Sequence, residues 1–90
     1  MIEDEREAAE IFKALSDANR LKIMNFLQSG EKCVCEILPH VGTSQSNVSQ
    51  HLKVLRNAGL ISYRKDGKKI IYFIASPKIE ELLECAHKVL

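Results

Sequence analysis

Cys33-Val34-Cys35 holds the side chains in this 90-residue chain best suited to chemistry. On a regular helix, residues i and i+2 lie about 160° apart and cannot share a face. Both sulfurs can reach one ion only where a helix frays or begins, and this pair lies at such an end. A helix N-terminus favours the thiolate, the form that binds metals and meets oxidants. Thiolates select soft, thiophilic ions. A bridge between cysteines one residue apart is strained, which counts against a disulfide as the resting state. Three cysteines, an odd number, do not make a disulfide framework, so metal or redox chemistry is the expectation.

A second constellation runs from Thr43 to Leu60. Ser44 suits an N-cap, and Gly59 suits the left-handed residue that closes a helix. At about 100° per residue, Val48, Leu52 and Leu55 fall on a core face. Ser46, Ser49, Gln50, Lys53 and Asn57 fall opposite, with no carboxylate among them. A solvated helix usually mixes Glu with Lys. Asn and Gln amides instead match adenine edges, and Ser fits several edges, in a groove wide enough for a helix. Taken alone, this face reads equally well as polar surface of no significance.

The neighbours decide it. Cys35–Gly42 reads as a short helix ending in a glycine turn. Leu60–Lys65 and Lys68–Ile74 read as strands joined by Asp66-Gly67, a favoured two-residue hairpin turn. The tip carries Arg64, Lys65, Lys68 and Lys69. Helix, turn, helix and basic hairpin make a winged helix, with the second helix for the major groove and the wing for the adjoining backbone. The expected DNA contacts are Gln45, Ser46, Asn47, Ser49, Gln50 and Lys53 on the helix, with Arg64, Lys68 and Lys69 on the wing. The fold class is α+β, mostly helical: a winged helix-turn-helix with a two-stranded wing.

Ala14-Leu15-Ser16-Asp17, Arg20-Leu21, Ser49-Gln50-His51-Leu52, Leu55-Arg56 and the wing together resemble the ArsR/SmtB family of metal- and stress-sensing repressors. The resemblance covers nearly the whole chain. Cys33-Val34-Cys35-Glu36 is similar to the Cys-Val-Cys-Asp box of its arsenic- and cadmium-sensing branch. It implies that Cys33 and Cys35 bind As(III), Sb(III), Cd(II), Pb(II) or Zn(II), and that binding releases DNA. The chain departs from the pattern in three places. Leu38 stands where arsenic sensors often have a third Cys. The N-terminal arm lacks the extra cysteines of cadmium sensors. Ser76, Lys78 and Val89 occupy the acid and His positions of the C-terminal zinc site, which is therefore expected to be absent. Cys85 either supplies a third sulfur or serves as a small buried hydrophobe.

Two other readings stay open. The thiols could form a redox or persulfide switch, with Cys85 bonding to Cys33 or Cys35. Against this, family redox sensors tend to place one Cys in the second helix, and none lies near Met24. The winged helix could also serve protein–protein contact without an operator. A docking face of that kind should show exposed apolar anchors, and this one shows amides and hydroxyls.

The remaining elements must position these groups. Residues 3–15 read as a first helix with Ala8, Ile11, Phe12 and Leu15 on one stripe. Ser16 or Asp17 can cap a second, from about residue 18 to Gln28 and ending at Gly30, with Leu21, Ile23, Met24 and Leu27 as core. Pro39 should limit or bend the short third helix. Ser76-Pro77 opens the last helix, whose stripe is Ile79, Leu82, Leu83, Ala86 and Leu90, widened by Val89. One small winged-helix core cannot hide both terminal stripes, so a homodimer through the terminal helices is expected, with an operator that is an imperfect inverted repeat.

At 46% hydrophobic residues the chain is not a disordered tail, and its length allows one domain over residues 1–90. Net charge is only +1, but it is polarised. Residues 1–10 hold one Arg against five acids, net −4. Residues 51–69 hold six cations against Asp66, net +5. A local basic patch suffices for backbone binding. No apolar run is long enough for a membrane, and the acidic N-terminus is unlike a signal peptide, so a cytoplasmic site is expected. His40, His51 and His87 lack ligand spacing, and there is no Ser/His/Asp set, carboxylate pair or phosphate loop. The expectation is a non-enzyme without an organic cofactor, with a thiophilic ion as inducer.

Overall fold

The first four helices each start at a side chain that accepts the free N–H groups of the opening turn. The computed structural model describes residues 4–89. Asp4 caps α1 (Glu5–Leu15) by accepting from the Arg6 N–H at 2.9 Å, and Asp17 caps α2 (Ala18–Gln28) by accepting from the Arg20 N–H at 3.1 Å. Cys33 caps α3 (Val34–Val41), and Ser44 Oγ caps α4 (Gln45–Asn57) from the Asn47 N–H at 3.1 Å. In α5 (Pro77–Val89) proline takes the first position, where its missing N–H costs nothing. The predicted first helix thus begins at Glu5, and residue 3 lies outside the described residues.

The strands are β1 (Lys32–Cys33), β2 (Ile61–Asp66) and β3 (Lys69–Ile74), antiparallel in the order β1-β3-β2. β2 and β3 form the expected two-stranded wing, and β1 adds an unpredicted third strand at its base. β1 is two residues long, too short for any periodicity to announce. The hairpin also turns one residue later than expected. Asp66 pairs with Lys69, so the loop is Gly67-Lys68, with Gly67 at φ +62°. Glycine at the first loop position is the II′ pattern, which leaves Asp66 in the ladder.

The core lies between α2, α3 and α4 and is floored by the sheet. Ile23, Met24, Ile37, Val48, Leu55 and Leu60 are fully buried, and Leu27, Val41, Leu52, Ile61 and Leu83 join them. Truncating Leu55 to Ala there should cost about 2–5 kcal/mol. Val48, Leu52 and Leu55 occupy the core face expected of them. Leu21 does not: it is exposed, one helical step off the line through Ile23, Met24 and Leu27. Pro39 sits inside α3 without stopping it; the helix runs on to Val41 and closes at Gly42, φ +77°. At the end of α4 the Gly59 N–H donates to Arg56 O and the Leu60 N–H to Leu55 O, both at 3.0 Å. This Schellman closure turns the chain straight into β2, with Leu55 and Leu60 in the core beneath it.

The terminal helices are only partly covered. On α5, Leu83 is buried, Ile79 and Leu82 are half-buried, Ala86 is exposed and Val89 is 86% exposed. Leu90, assigned to the same stripe, lies outside the described residues. On α1, Phe12 is 57% exposed. No helix among the described residues is long and apolar enough to cross a membrane.

Candidate functional site

α4 presents its polar side outward, since Val48, Leu52 and Leu55 hold the opposite side in the core. Gln45, Ser46, Ser49, Gln50 and Lys53 line one open concavity on this outer side. Five of the expected contacts are thus brought together, without a carboxylate among them. Asn47 is exposed but turned elsewhere: its Nδ2 donates to Thr43 Oγ1 at 3.0 Å, bracing the first turn. Asn57 falls in a separate groove with Glu10, Lys13, Ala14, Arg20, Val54 and Ala58, away from the concavity.

Arg20 fixes this helix against the rest. Its Nε donates to Ala14 O at 2.6 Å and its Nη2 to Lys13 O at 3.4 Å, capping the end of α1. Its Nη1 lies 3.3 Å from His51 Nδ1 on α4. The other histidines also have structural partners. His40 stacks on Phe26 at 3.9 Å, with Lys32 Nζ over the Phe26 ring, and His87 Nε2 meets Asn25 Oδ1 at 3.0 Å.

The wing projects Lys65, Lys68 and Lys69 into solvent. Arg64 is differently placed. Its Nη1 and Nη2 donate to the two oxygens of Glu31 at 2.6 and 2.8 Å, a bidentate pair with both side chains about half exposed. Arg64 holds the Glu31 carboxyl below its ordinary range, first through this hydrogen bond and then through its charge. Glu31 was not identified from the sequence, since nothing local to it signals a partner in β2. At the wing's base Arg56 lies over the Tyr63 ring, and Tyr63 packs on Tyr72.

The two cysteines meet at the start of α3. Cys33, with φ −76° and ψ 156°, is outside the helix as its N-cap, and Cys35 is the second helical residue. The extended N-cap swings the Cys33 side chain over the first turn. Its Sγ accepts the Cys35 N–H at 3.0 Å, while the Cys33 N–H donates to Glu36 Oε1 at 3.0 Å. This is a reciprocal capping box built on a cysteine. The two sulfurs meet at this helix start, with the Cα atoms 5.2 Å apart. Cys33 is buried and Cys35 exposed. Cys85 is free and exposed on α5, contrary to its reading as a buried hydrophobe. Among the described residues no three Cys, His, Asp or Glu side chains gather around a common point.

A helix-turn-helix with a carboxylate-free outer face and a cationic hairpin beside it defines a winged-helix DNA-binding protein. The family model described as "Bacterial regulatory protein, arsR family" matches residues 17–63. The chain is 41% identical over 87% of its length to a probable mercury resistance operon repressor of Streptomyces lividans, of which it spans 62%. It is 40% identical to a cadmium resistance regulatory protein homolog of Staphylococcus aureus, over 89% of this chain and 67% of that one. To the arsenical resistance operon repressor of the same species it is 37% identical, over 88% and 76%. Among solved structures, Rv0081 of Mycobacterium tuberculosis superposes with a TM-score of 0.87 at 45% identity, over 94% of this chain and 86% of that one. A homodimeric winged helix-turn-helix domain of Mycobacterium bovis superposes with a TM-score of 0.88 at 30% identity, over 93% and 78%. The chain belongs to the ArsR family. It is a DNA-binding transcriptional repressor and not an enzyme.

Proposed function

We propose that this chain is a single-domain, cytoplasmic, homodimeric repressor that leaves an imperfect inverted-repeat operator when Cys33 and Cys35 bind a thiophilic metal or metalloid. The observation that carries the reading is the meeting of both sulfurs at the N-cap of α3. Relatives named for mercury, cadmium and arsenical resistance support a soft ion as inducer. The pair offers two sulfur ligands; As(III), Sb(III), Cd(II), Pb(II) or Zn(II) would take any further donor from outside these two residues. Sb(III) and the other ions differ in the number of donors they accept, so the ligand count bears on which one fits.

Drawing an ion onto Cys33 engages the sulfur that caps α3. The capping box is then remade or lost, and α3 packs directly against α4 through Ile37, Val41 and Val48. Exposed Phe12 and Val89 on the terminal helices support a dimer, as does the homodimeric assembly of the M. bovis domain. In such a dimer the two α4 helices would stand about 34–36 Å apart, one DNA turn. Gln45, Ser46, Ser49, Gln50 and Lys53 would face base edges, and Lys68 and Lys69 the backbone.

The alternative reading keeps the DNA binding and makes the inducer an oxidant. Two thiols lose two protons and two electrons to an electrophilic oxidant, such as a peroxide, and the Cys33–Cys35 bridge forms while the oxidant is reduced. Metal titration of the reduced protein, followed by a count of thiols left reactive, tests the first reading. Loss of two reactive thiols per chain at one equivalent of As(III) or Cd(II) is the expected result; three reactive thiols remaining would overturn it.

A further inference from the structure

Three strands put the thiol and the wing in one row. Cys33 of β1 is the Cα partner of Ile71 of β3, and Ile71 is the Cα partner of Arg64 of β2. Adjacent antiparallel strands are about 4.8 Å apart, so Cys33 and Arg64 are two strand spacings from each other on one face of the sheet. Glu31 is two residues before Cys33, and its carboxylate takes both ends of the Arg64 guanidinium. A carboxylate held bidentately by arginine has the shape and charge that a DNA phosphate would offer. Among the described residues this is the sole ion pair, so Lys65, Lys68 and Lys69 reach solvent unpaired while Arg64 does not. The net charge of the wing toward DNA is thereby lower than its sequence states.

We infer that Glu31 occupies Arg64 in the DNA-free protein as an internal stand-in for phosphate, and that DNA binding transfers Arg64 from Glu31 to the backbone. Glu31 is then a positioning residue that sets the affinity of the wing. It ties the wing to the strand that carries Cys33, so a shift of β1 at the thiol alters how firmly Arg64 is held. The inference rests on the proposed role of the wing in binding backbone phosphate.

Both side chains are about half exposed, so neither substitution disturbs the core. The test is a double-mutant cycle with Glu31→Gln and Arg64→Gln in the full-length, reduced protein. Binding to a mixed-sequence DNA duplex is followed by fluorescence anisotropy between about 50 and 200 mM salt. Arg64→Gln should weaken binding and flatten the slope of log K against log salt by about 0.9, one phosphate contact. Glu31→Gln should tighten binding by roughly two- to fivefold, the scale of an exposed ion pair. In the Arg64→Gln background the same change should have a clearly smaller effect. Equal tightening in both backgrounds would reduce Glu31 to a general negative charge and overturn the inference. So would no change, or weaker binding, on Glu31→Gln alone. If instead Arg64→Gln left binding and slope untouched, the wing reading itself would fall, a result distinct from the failure of Glu31 to gate it.

Discussion

Cys33 Sγ accepts the backbone N–H of Cys35 at 3.0 Å, so the residue that presents the buried thiol is also the N-cap of α3. The two roles can be separated by substitution. Serine keeps a cap acceptor of similar reach, whereas alanine removes it, and losing a cap typically costs about 1 kcal/mol. Cys33→Ala should therefore lower stability by about that amount or more in urea unfolding, and Cys33→Ser by less. Both should abolish induction by thiophilic ions. Equal stability of the two variants would mean that the sulfur does not serve as the cap.

Cys35 is exposed and caps nothing, so Cys35→Ser should leave the unfolding midpoint within about 0.5 kcal/mol of the parent and still abolish induction. Cys85 is exposed and remote in sequence from the pair, and among the described residues there is no three-residue donor group for it to join. Cys85→Ser should repress and respond as the parent does. Loss of the response in that variant would show Cys85 supplying the third sulfur.

Most of this arrangement could be read from residue types and spacing. The helices start where Asp17 and Ser44 can cap, and α4 ends where Gly59 can take a positive φ of 78°. The core face of α4 followed from period alone. Three features around the thiol and the wing did not follow. Cysteine is not among the usual N-caps, so the capping box of Cys33 with Glu36 went unseen, although Glu at the third helical position was its signal. β1 has only two residues, and its pairing with β3 depends on chain separation that no local pattern encodes. The Glu31–Arg64 pair spans 33 positions and two strands, so the sequence count of wing cations included one that is already partnered.

Base reading and backbone binding should separate by element. Gln50→Ala or Ser46→Ala, on the open side of α4, should weaken binding to an operator selected from a randomised duplex pool by about 1–3 kcal/mol per lost base contact. Binding to mixed-sequence DNA should barely move. Lys68→Ala or Lys69→Ala should weaken both alike and lower the salt slope by about one. Wing variants that altered only sequence preference would reverse the two assignments.

Acid should act through the Asp17 cap. Its carboxyl is held below the ordinary value, first by accepting the Arg20 N–H; burial opposes this, and His51 and Arg20 add charge attraction. A depressed folded pKa contributes stability that is present above the unfolded pKa and lost as pH falls through the folded value. Stability should thus fall across the acid range below about pH 4, and Asp17→Asn, which keeps a cap oxygen, should show a shallower fall there. The check is the urea midpoint measured across that range. Parallel curves for parent and variant would assign the acid sensitivity to other carboxylates.

The inducer is settled by separating metal from oxidant on the same protein. Release from DNA requires that the signal favour the free form over the bound form, with couplings of about 1–3 kcal/mol typical, or roughly 5- to 150-fold in affinity. Cys33 borders both α3, which it caps, and β3, which it pairs with through Ile71, so a change at its sulfur has two short routes to the DNA face. Under strict reductant, As(III) or Cd(II) should weaken operator binding by a factor in that range, measured by anisotropy. With metal chelated, a peroxide or persulfide donor should have little effect if the ion is the inducer. The reverse outcome, release only with the oxidant, would make the Cys33–Cys35 bridge the signal and exclude the ion. In either case Glu31→Gln should shrink the effect of the inducer, because it removes the ion pair that joins Arg64 to the segment before β1 and leaves the β1–β3 pairing alone to carry it. An undiminished response in that variant would route the signal through α3 or the β1–β3 pairing and not through Arg64.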